Sequence, residues 1–215
     1  MSTSPSTGRT ELSLSPVGAA PPLRADAARN RARLLEAAAR LADERGAANL
    51  TMEAVACAAQ VGKGTVFRRF GDRAGLLLAL LDHQEQRFQA AFMAGPAPLG
   101  PGAPARERLH AFGPAALHHE RAHLDLYLAA QPEAPRRELA PARILRVSHL
   151  AALLRQAGTD ADPQLAAHTL AGVLDVALVD HLVTRLGMPL ERVEAGWHDL
   201  VERLLSPCDP GRTER

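Results

Sequence analysis

The sequence predicts an all-α protein of about nine helices, a small basic head on a larger body. Three observations carry this. Leu, Ala and Arg, all good helix formers, dominate the 215 residues, strand formers are sparse, and no run alternates apolar with polar. Gly and Pro fall at intervals that bound helices, at Gly46, Gly95-Pro96, Gly158 and Gly187. Charge is unevenly divided: residues 1–75 hold eleven basic and seven acidic side chains, residues 76–215 fourteen and seventeen, so +4 faces −3. A cationic head on an anionic body suits one end turned to nucleic acid.

Residues 1–23, rich in Ser, Thr and Pro, read as a disordered arm with no continuous apolar core and no secretory signal. Arg24, Arg29, Arg31 and Arg33 lead into a helix from about Asp26 to Arg45, with Leu34, Leu35, Ala38 and Leu41 inward and Gly46 as its stop. Those arginines suit phosphates or a minor groove, and equally a solvated helix start. Thr51 is an N-cap, and Met52, Val55, Ala56 and Ala59 form the inward stripe of a short helix. Gln60-Val61-Gly62 is a turn with Val61 between two helices, and Lys63 opens the second, anchored by Val66 and Phe70.

Asp72 caps a long helix reaching about Met93 and ended by Gly95-Pro96. Residues 95–104 are a Pro/Gly linker, Pro104 opens the next helix, and Gly113-Pro114 should bend or break it. The helical run continues to about Gln131, where Pro132 and Pro135 interrupt. Pro141 to Ala157 follows. Asp162-Pro163 starts a helix carrying Leu165, Leu170, Val173, Leu174, Ala177, Leu178 and Leu182, stopped by Gly187. Pro189 starts the last, with Val193, Trp197, Leu200, Val201 and Leu204 at helical spacing, and residues 207–215 are a disordered tail. The helix from Pro163 is apolar on more than one side, so it packs on two: once within its subunit and once against a second copy. Leu174, Leu178, Leu182, Val193, Trp197 and Val201 are the expected homodimer interface.

The stretch from Gly46 to Leu81 carries the function. Two short helices joined by a tight turn cannot stand alone. The second opens with a cation and small residues, so its start can approach another surface closely. That is the geometry of a helix-turn-helix, whose second helix enters the major groove. Lys63, Gly64 and Thr65 lie on its first turn, Arg68 and Arg69 reach phosphates on either side, and Phe67 offers a flat contact to backbone sugars. Lys63 is the only lysine in the chain.

Thr51-Met52, Val55-Ala56, Val61, Gly64-Thr65-Val66-Phe67, Phe70, Asp72-Arg73 and Leu76-Leu77 together resemble the DNA-binding domain of the TetR family of bacterial regulators. The resemblance covers about fifty residues; beyond Leu81 only length and helical layout agree. It implies a homodimer on palindromic double-stranded operator DNA, most simply a repressor released by a small molecule. It implies DNA contacts from Thr51, Gly62, Lys63, Gly64, Thr65, Phe67, Arg68, Arg69 and Arg73. The chain departs from the family pattern at Gln60 (usually Gly), Gly62 (usually Ser), Phe67 (usually Tyr) and Arg73 (usually Lys, with the phosphate contact kept). If position 60 takes positive φ, Gln is strained there.

Domain bounds follow: head 24–71, ligand-binding and dimerisation body 72–206. Few aromatics speak for a mostly aliphatic cavity with polar fixtures, suited to a small apolar or amphipathic molecule. Phe88, Phe92, Phe112, Tyr127, His149 and Asp175 are its candidate residues. The helix from Asp72, with Phe88 and Phe92, is the candidate lever between cavity and head. His118, His119 and His123, the last two four apart, invite a metal, with Asp125 near, but no third ligand has good spacing and surface or interface histidines are the plainer reading. No catalytic triad or carboxylate pair, no cofactor and no membrane span of about twenty apolar residues can be read. With Cys57 and Cys208 far apart, a reducing cytoplasm is expected. Two other readings stand beside this one. Gly62-Lys63-Gly64-Thr65 resembles the end of a nucleotide-phosphate loop, though the earlier glycine is replaced by Cys57 and the preceding strand is lacking. A helical sensor or enzyme without DNA binding is the other.

Overall fold

The computed structural model describes residues 22–130 and 141–206, with side chains from Asp26 onward. The expected arm up to residue 21, the tail, the Pro132/Pro135 interruption and Cys208 lie outside these residues, and the first helix begins at Pro22, two residues inside the expected arm. Within them the fold is all-helical, with ten α-helices and no strand. They are α1 (Pro22–Arg45), α2 (Met52–Ala58), α3 (Lys63–Phe70), α4 (Arg73–Ala94), α5 (Ala105–Ala122), α6 (Leu124–Ala130), α7 (Pro141–Ala157), α8 (Pro163–Val173), α9 (Val176–Asp180) and α10 (Leu190–Leu205). A 3-10 turn, Ala47–Asn49, joins α1 to α2. No single helix among the described residues is long and apolar enough to cross a membrane.

Two cores share α4. The head core gathers Leu34, Leu35, Ala38 and Leu41 of α1, Met52, Val55 and Ala56 of α2, Val66 of α3 and Leu76, Leu77 and Leu80 of α4. It reaches past residue 71, and even takes in Leu126 of α6. The body core holds Phe88 and Phe92 of α4 with Leu109 and Phe112 of α5, Leu150 and Leu154 of α7, Leu170 of α8 and Trp197 of α10. The buried residues of α4, from Leu77 and Leu80 through Gln84 to Phe88 and Phe92, recur every three or four positions, so one stripe runs from the head core into the body core.

Three sequence expectations change. α5 runs through Pro114 without a break. A Cβ on Gly113 would come within 2.2 Å of the Trp197 ring, so the glycine gives the indole its place, and Trp197 Nε1 donates to Leu109 O at 2.9 Å. The helix expected from Pro163 to Gly187 is interrupted: Asp175 accepts hydrogen bonds from the N–H groups of Ala177 and Leu178, which caps a new helix and ends the old one. The segment then widens into a π-turn, His181–Arg185. The expected interface is also revised. Leu174, Val193, Trp197 and Val201 are buried within their own subunit, at 0–5 % exposure, which leaves them little surface to offer a second copy. Leu178 is exposed and Leu182 half-buried.

Candidate nucleic-acid interface and body cavity

The head presents one continuous surface along α3. Thr51 caps α2, its hydroxyl accepting from Ala54 N at 3.1 Å. The turn follows with Gln60 at φ 56, the left-handed conformation that glycine adopts without strain. Gly62, with extended backbone, leads into α3. Val66 is fully buried and Phe70 half-buried, which fixes the rotation of the helix. Lys63, Gly64, Arg68 and Arg69 are thereby exposed, with Phe67 at 38 % and Thr65 half-buried. Ahead of Gly62 and Gly64 there is open space: a Cβ there would meet nothing within 4 Å. The fold itself does not require either glycine to be small.

The cations on this face have different commitments. Lys63 pairs with Glu53 of α2, and its ammonium lies 5.3 Å from the Phe67 ring centroid. The pairing holds the exposed Glu53 carboxyl below its ordinary value, its hydrogen bond to Lys63 being the largest cause. Arg69 donates to Ala27 O on α1 at 3.3 Å. Arg73 is a correction. Its Nε donates to Leu50 O at 2.8 Å, and its Nη2 to Ala47 O at 3.0 Å and Ala48 O at 2.8 Å. It ties the 3-10 turn to the start of α4, so the phosphate contact expected of Arg73 gives way to an internal role.

In the body, α4, α5, α6, α7, the end of α8 and the start of α9 line a cavity of about 160 Å³. Leu81, Phe112, Leu150, Leu174 and Val176 form its apolar wall, and Glu85, Glu120, Tyr127, Arg143, Arg146 and Asp175 its polar one. Of the candidate ligand residues, Phe112, Tyr127 and Asp175 meet here. Phe88, Phe92 and His149 lie outside this wall, packed together in the body core, with Phe92 and His149 ring centroids 4.7 Å apart. Burial pushes His149 down to about 4, with the charge of Arg108 adding to it, and its Nε2 is buried without a partner.

Sequence reasoning missed the ion cluster. Arg146 of α7 donates through Nη2 to both oxygens of Glu85, at 2.8 and 2.6 Å, and through Nη1 to Glu120 Oε1. Tyr127 OH donates to Glu85 Oε1 at 2.6 Å, and His119 Nε2 lies 3.1 Å from the same oxygen. Burial alone would raise Glu85; His119, Arg146 and Tyr127 outweigh it and hold the carboxyl at about 2. Burial raises Glu120. The same burial, with both carboxylates nearby, lifts the Tyr127 phenol. The guanidinium stacks near Phe88, 4.9 Å from the ring centroid. These residues lie 26 to 61 positions apart, and nothing local in the sequence pairs them. The one available signal was charge within otherwise apolar helix stripes.

The histidines have separate partners. His118 faces Glu194, His119 faces Glu85, and His123 Nδ1 lies 2.8 Å from His119 O. Among the described residues no group of three or more His, Cys, Asp or Glu is placed to hold a metal. Cys57 is free and exposed on α2.

Head and body are clasped through α6. Asp125 accepts from Ala47 N at 2.7 Å, on the turn that Arg73 also holds, and Leu126 is buried in the head core. The next residue, Tyr127, reaches Glu85 in the cavity wall.

Residues 34–80 match the family model described as bacterial regulatory proteins, tetR family. Among solved structures, the chain is similar to a Rhodococcus sp. protein classed as a TetR-family transcriptional regulator. Their identity is 25%, the TM-score 0.62, and the match covers 83% of this chain and 100% of that one. It is also similar to the multidrug binding protein EbrR complexed with imidazole, at 26% identity, TM-score 0.55 and 85% and 98% coverage. A TetR-family transcriptional regulator from Streptomyces coelicolor shares the fold, at 24% identity, TM-score 0.58 and 83% and 95% coverage. Among curated proteins no significant match is found.

Proposed function

The chain carries the DNA-binding domain and the fold of TetR-family transcriptional regulators, and from that premise we propose that it is a homodimeric repressor in the cytoplasm. In this reading it is released from a two-fold symmetric operator by a small molecule. The observation that carries the DNA reading is the α3 face: Gly64 faces open space in the first turn beside exposed Lys63, and exposed Arg68 and Arg69 follow in the last turn. Helix glycine is destabilising, and this one is not needed by the fold. It suits a surface that another molecule approaches closely, with cations on either side for phosphates and Lys63 for a base edge. Thr51, Gly62, Thr65 and Phe67 border the same face.

The effector reading rests on the cavity, whose polar and apolar walls suit a small amphipathic molecule. Two elements reach from it to the head. α4 places Glu85 in the cavity wall and Arg73 on the 3-10 turn; α6 places Tyr127 in the wall and Asp125 on the same turn. A ligand that takes Tyr127 or Glu85 from its partners therefore acts on the turn that precedes α2 and α3. Phe88 and Phe92 support the lever from the body core. Coupling of about 1–3 kcal/mol lowers operator affinity roughly 5–150-fold. EbrR, complexed with imidazole, is a multidrug binding protein; a small-molecule effector here is in keeping with it.

Footprinting on DNA beside the chain's own gene tests the reading. A protected site with two-fold symmetry is expected, because each half-site meets one copy of α3. Protection without symmetry, or none at all, counts against it.

A further inference from the structure

We infer that the molecule taken by the body cavity is a monocation with an apolar body, a protonated amine of modest size whose charged end is held at Glu120. This rests on reading that cavity as the effector site, and adds the charge of its occupant.

Glu85 and Glu120 are 10 % and 4 % exposed in their side chains, and the one guanidinium they share, Arg146, is 13 % exposed. Two carboxylates on one arginine leave one negative charge over. Among the described residues the rest of the wall adds no net charge, since Arg143 of α7 and Asp175 before α9 are opposite in sign. Glu120 also borders a neighbouring cavity of about 80 Å³, where Arg121 and Asp180 are again opposite in sign. His119 of α5 hydrogen-bonds only Glu85 in this cluster, and among the described residues Arg146 is the one ion-pair partner of Glu120. Tyr127 of α6 enters as a neutral donor.

A buried uncompensated charge is costly, and a group in that position takes up a proton or a counterion. The two carboxylates differ in spare capacity. Glu85 accepts from His119, Tyr127 and Arg146 on Oε1 and from Arg146 again on Oε2, whereas Glu120 gives Oε1 to Arg146. Glu120 is thus the carboxylate with room for further donors, and it faces both cavities. An ammonium brings the missing charge and up to three N–H donors. Leu81, Phe112, Leu150 and Leu174 then receive its apolar part. A carboxylate occupant would add to the buried negative charge, and both Nη groups of Arg146 are already committed.

Calorimetry on the full chain with three isosteric probes tests this: cyclohexylmethylammonium, cyclohexylmethanol and cyclohexanecarboxylate. The ammonium is expected to bind at least about tenfold tighter than the alcohol, with the carboxylate weakest. Glu120→Gln should remove the ammonium's advantage and leave the alcohol's affinity in place. The wild type gives an independent readout. Burial raises the Glu120 carboxyl, so a bound cation favours its ionised form, and the ammonium should bind more tightly as pH rises through that titration while the alcohol does not. Equal binding of all three probes, a preference for the carboxylate, or an unchanged preference in Glu120→Gln overturns the charge assignment. In those cases the cavity reading stands if Leu150→Trp, which fills the space, abolishes binding. Binding of none of the three overturns the cavity reading and the charge assignment together.

Discussion

A glycine inside a helix gives up stability, and Gly64 does so with open space where its side chain would be. Gly64→Ala, in the first turn of α3, should stabilise the protein by no more than the roughly 0.5–1 kcal/mol of a mid-helix glycine while weakening operator binding. Thermal melts and operator titrations read the two effects, and unchanged operator affinity would remove the close-approach role. The exposed face of α3 was legible because Val66 and Phe70 fix its rotation by helical spacing alone. Arg73 was not: an arginine beside a recognition helix has the same sequence signature whether it meets phosphate or three carbonyls of its own chain. His149 shows a second limit. Read as a candidate cavity residue, it is packed in the core against Phe92 and Phe112 with a buried, unpartnered Nε2. Burial depresses its folded value to about 4 from an ordinary 6.5, so the unfolded chain binds the proton first and stability falls as pH drops through that window. His149→Phe should therefore lose less stability between about pH 6.5 and 4, by about 1–2 kcal/mol after allowing for partial exposure. Denaturant titrations at the two ends of the window measure it; identical pH dependence for both proteins would contradict the assignment.

At the scale of elements, starts and stops were read from caps. Thr51, Asp72 and Asp162 each accept a backbone N–H at the first turn of their helix, and the sequence signal for each is a short oxygen-bearing side chain before an apolar run. Breaks were harder, because they depend on what packs alongside. Pro114 leaves α5 continuous, with Gly113 seated against Trp197, whereas Asp175, read as a ligand group, breaks the helix from Pro163 by capping the next one. Gly113→Ala drives a methyl into the indole, and should cost about 1–3 kcal/mol as an overpacking change. Chemical denaturation of the variant checks it, and wild-type stability would mean that Trp197 does not depend on the missing side chain. α6 was seen only as part of a longer helical run. Its role as a clasp arises from three consecutive residues, Asp125, Leu126 and Tyr127, that meet different partners. No periodicity encodes that.

For the whole molecule, the division into a basic head and an acidic body was visible in residue counts, but the outward face was not. A helix apolar on two sides has the same period whichever side faces inward. The fold turns Val193, Trp197 and Val201 inward and leaves Leu165 and Leu178 of the α8–α9 segment exposed, at 68 % and 39 %. The second copy is therefore expected on that face, and Leu178→Arg should shift the protein towards monomer and abolish operator binding with it, since a desolvated charge opposes burial. Sedimentation showing unchanged dimers would move the interface elsewhere. The DNA-reading face of α3 is the central claim, and operator titration across salt, from about 50 to about 200 mM, tests it most directly. The wild type should prefer its operator to random DNA and lose affinity steeply as salt rises. Arg69→Ala should lower the salt slope by about one, Arg73→Ala should leave that slope intact while weakening the fold, and Lys63→Ala should narrow the preference for operator. A wild type with no preference and no salt dependence, or an Arg69→Ala slope equal to the wild type's, would contradict the account.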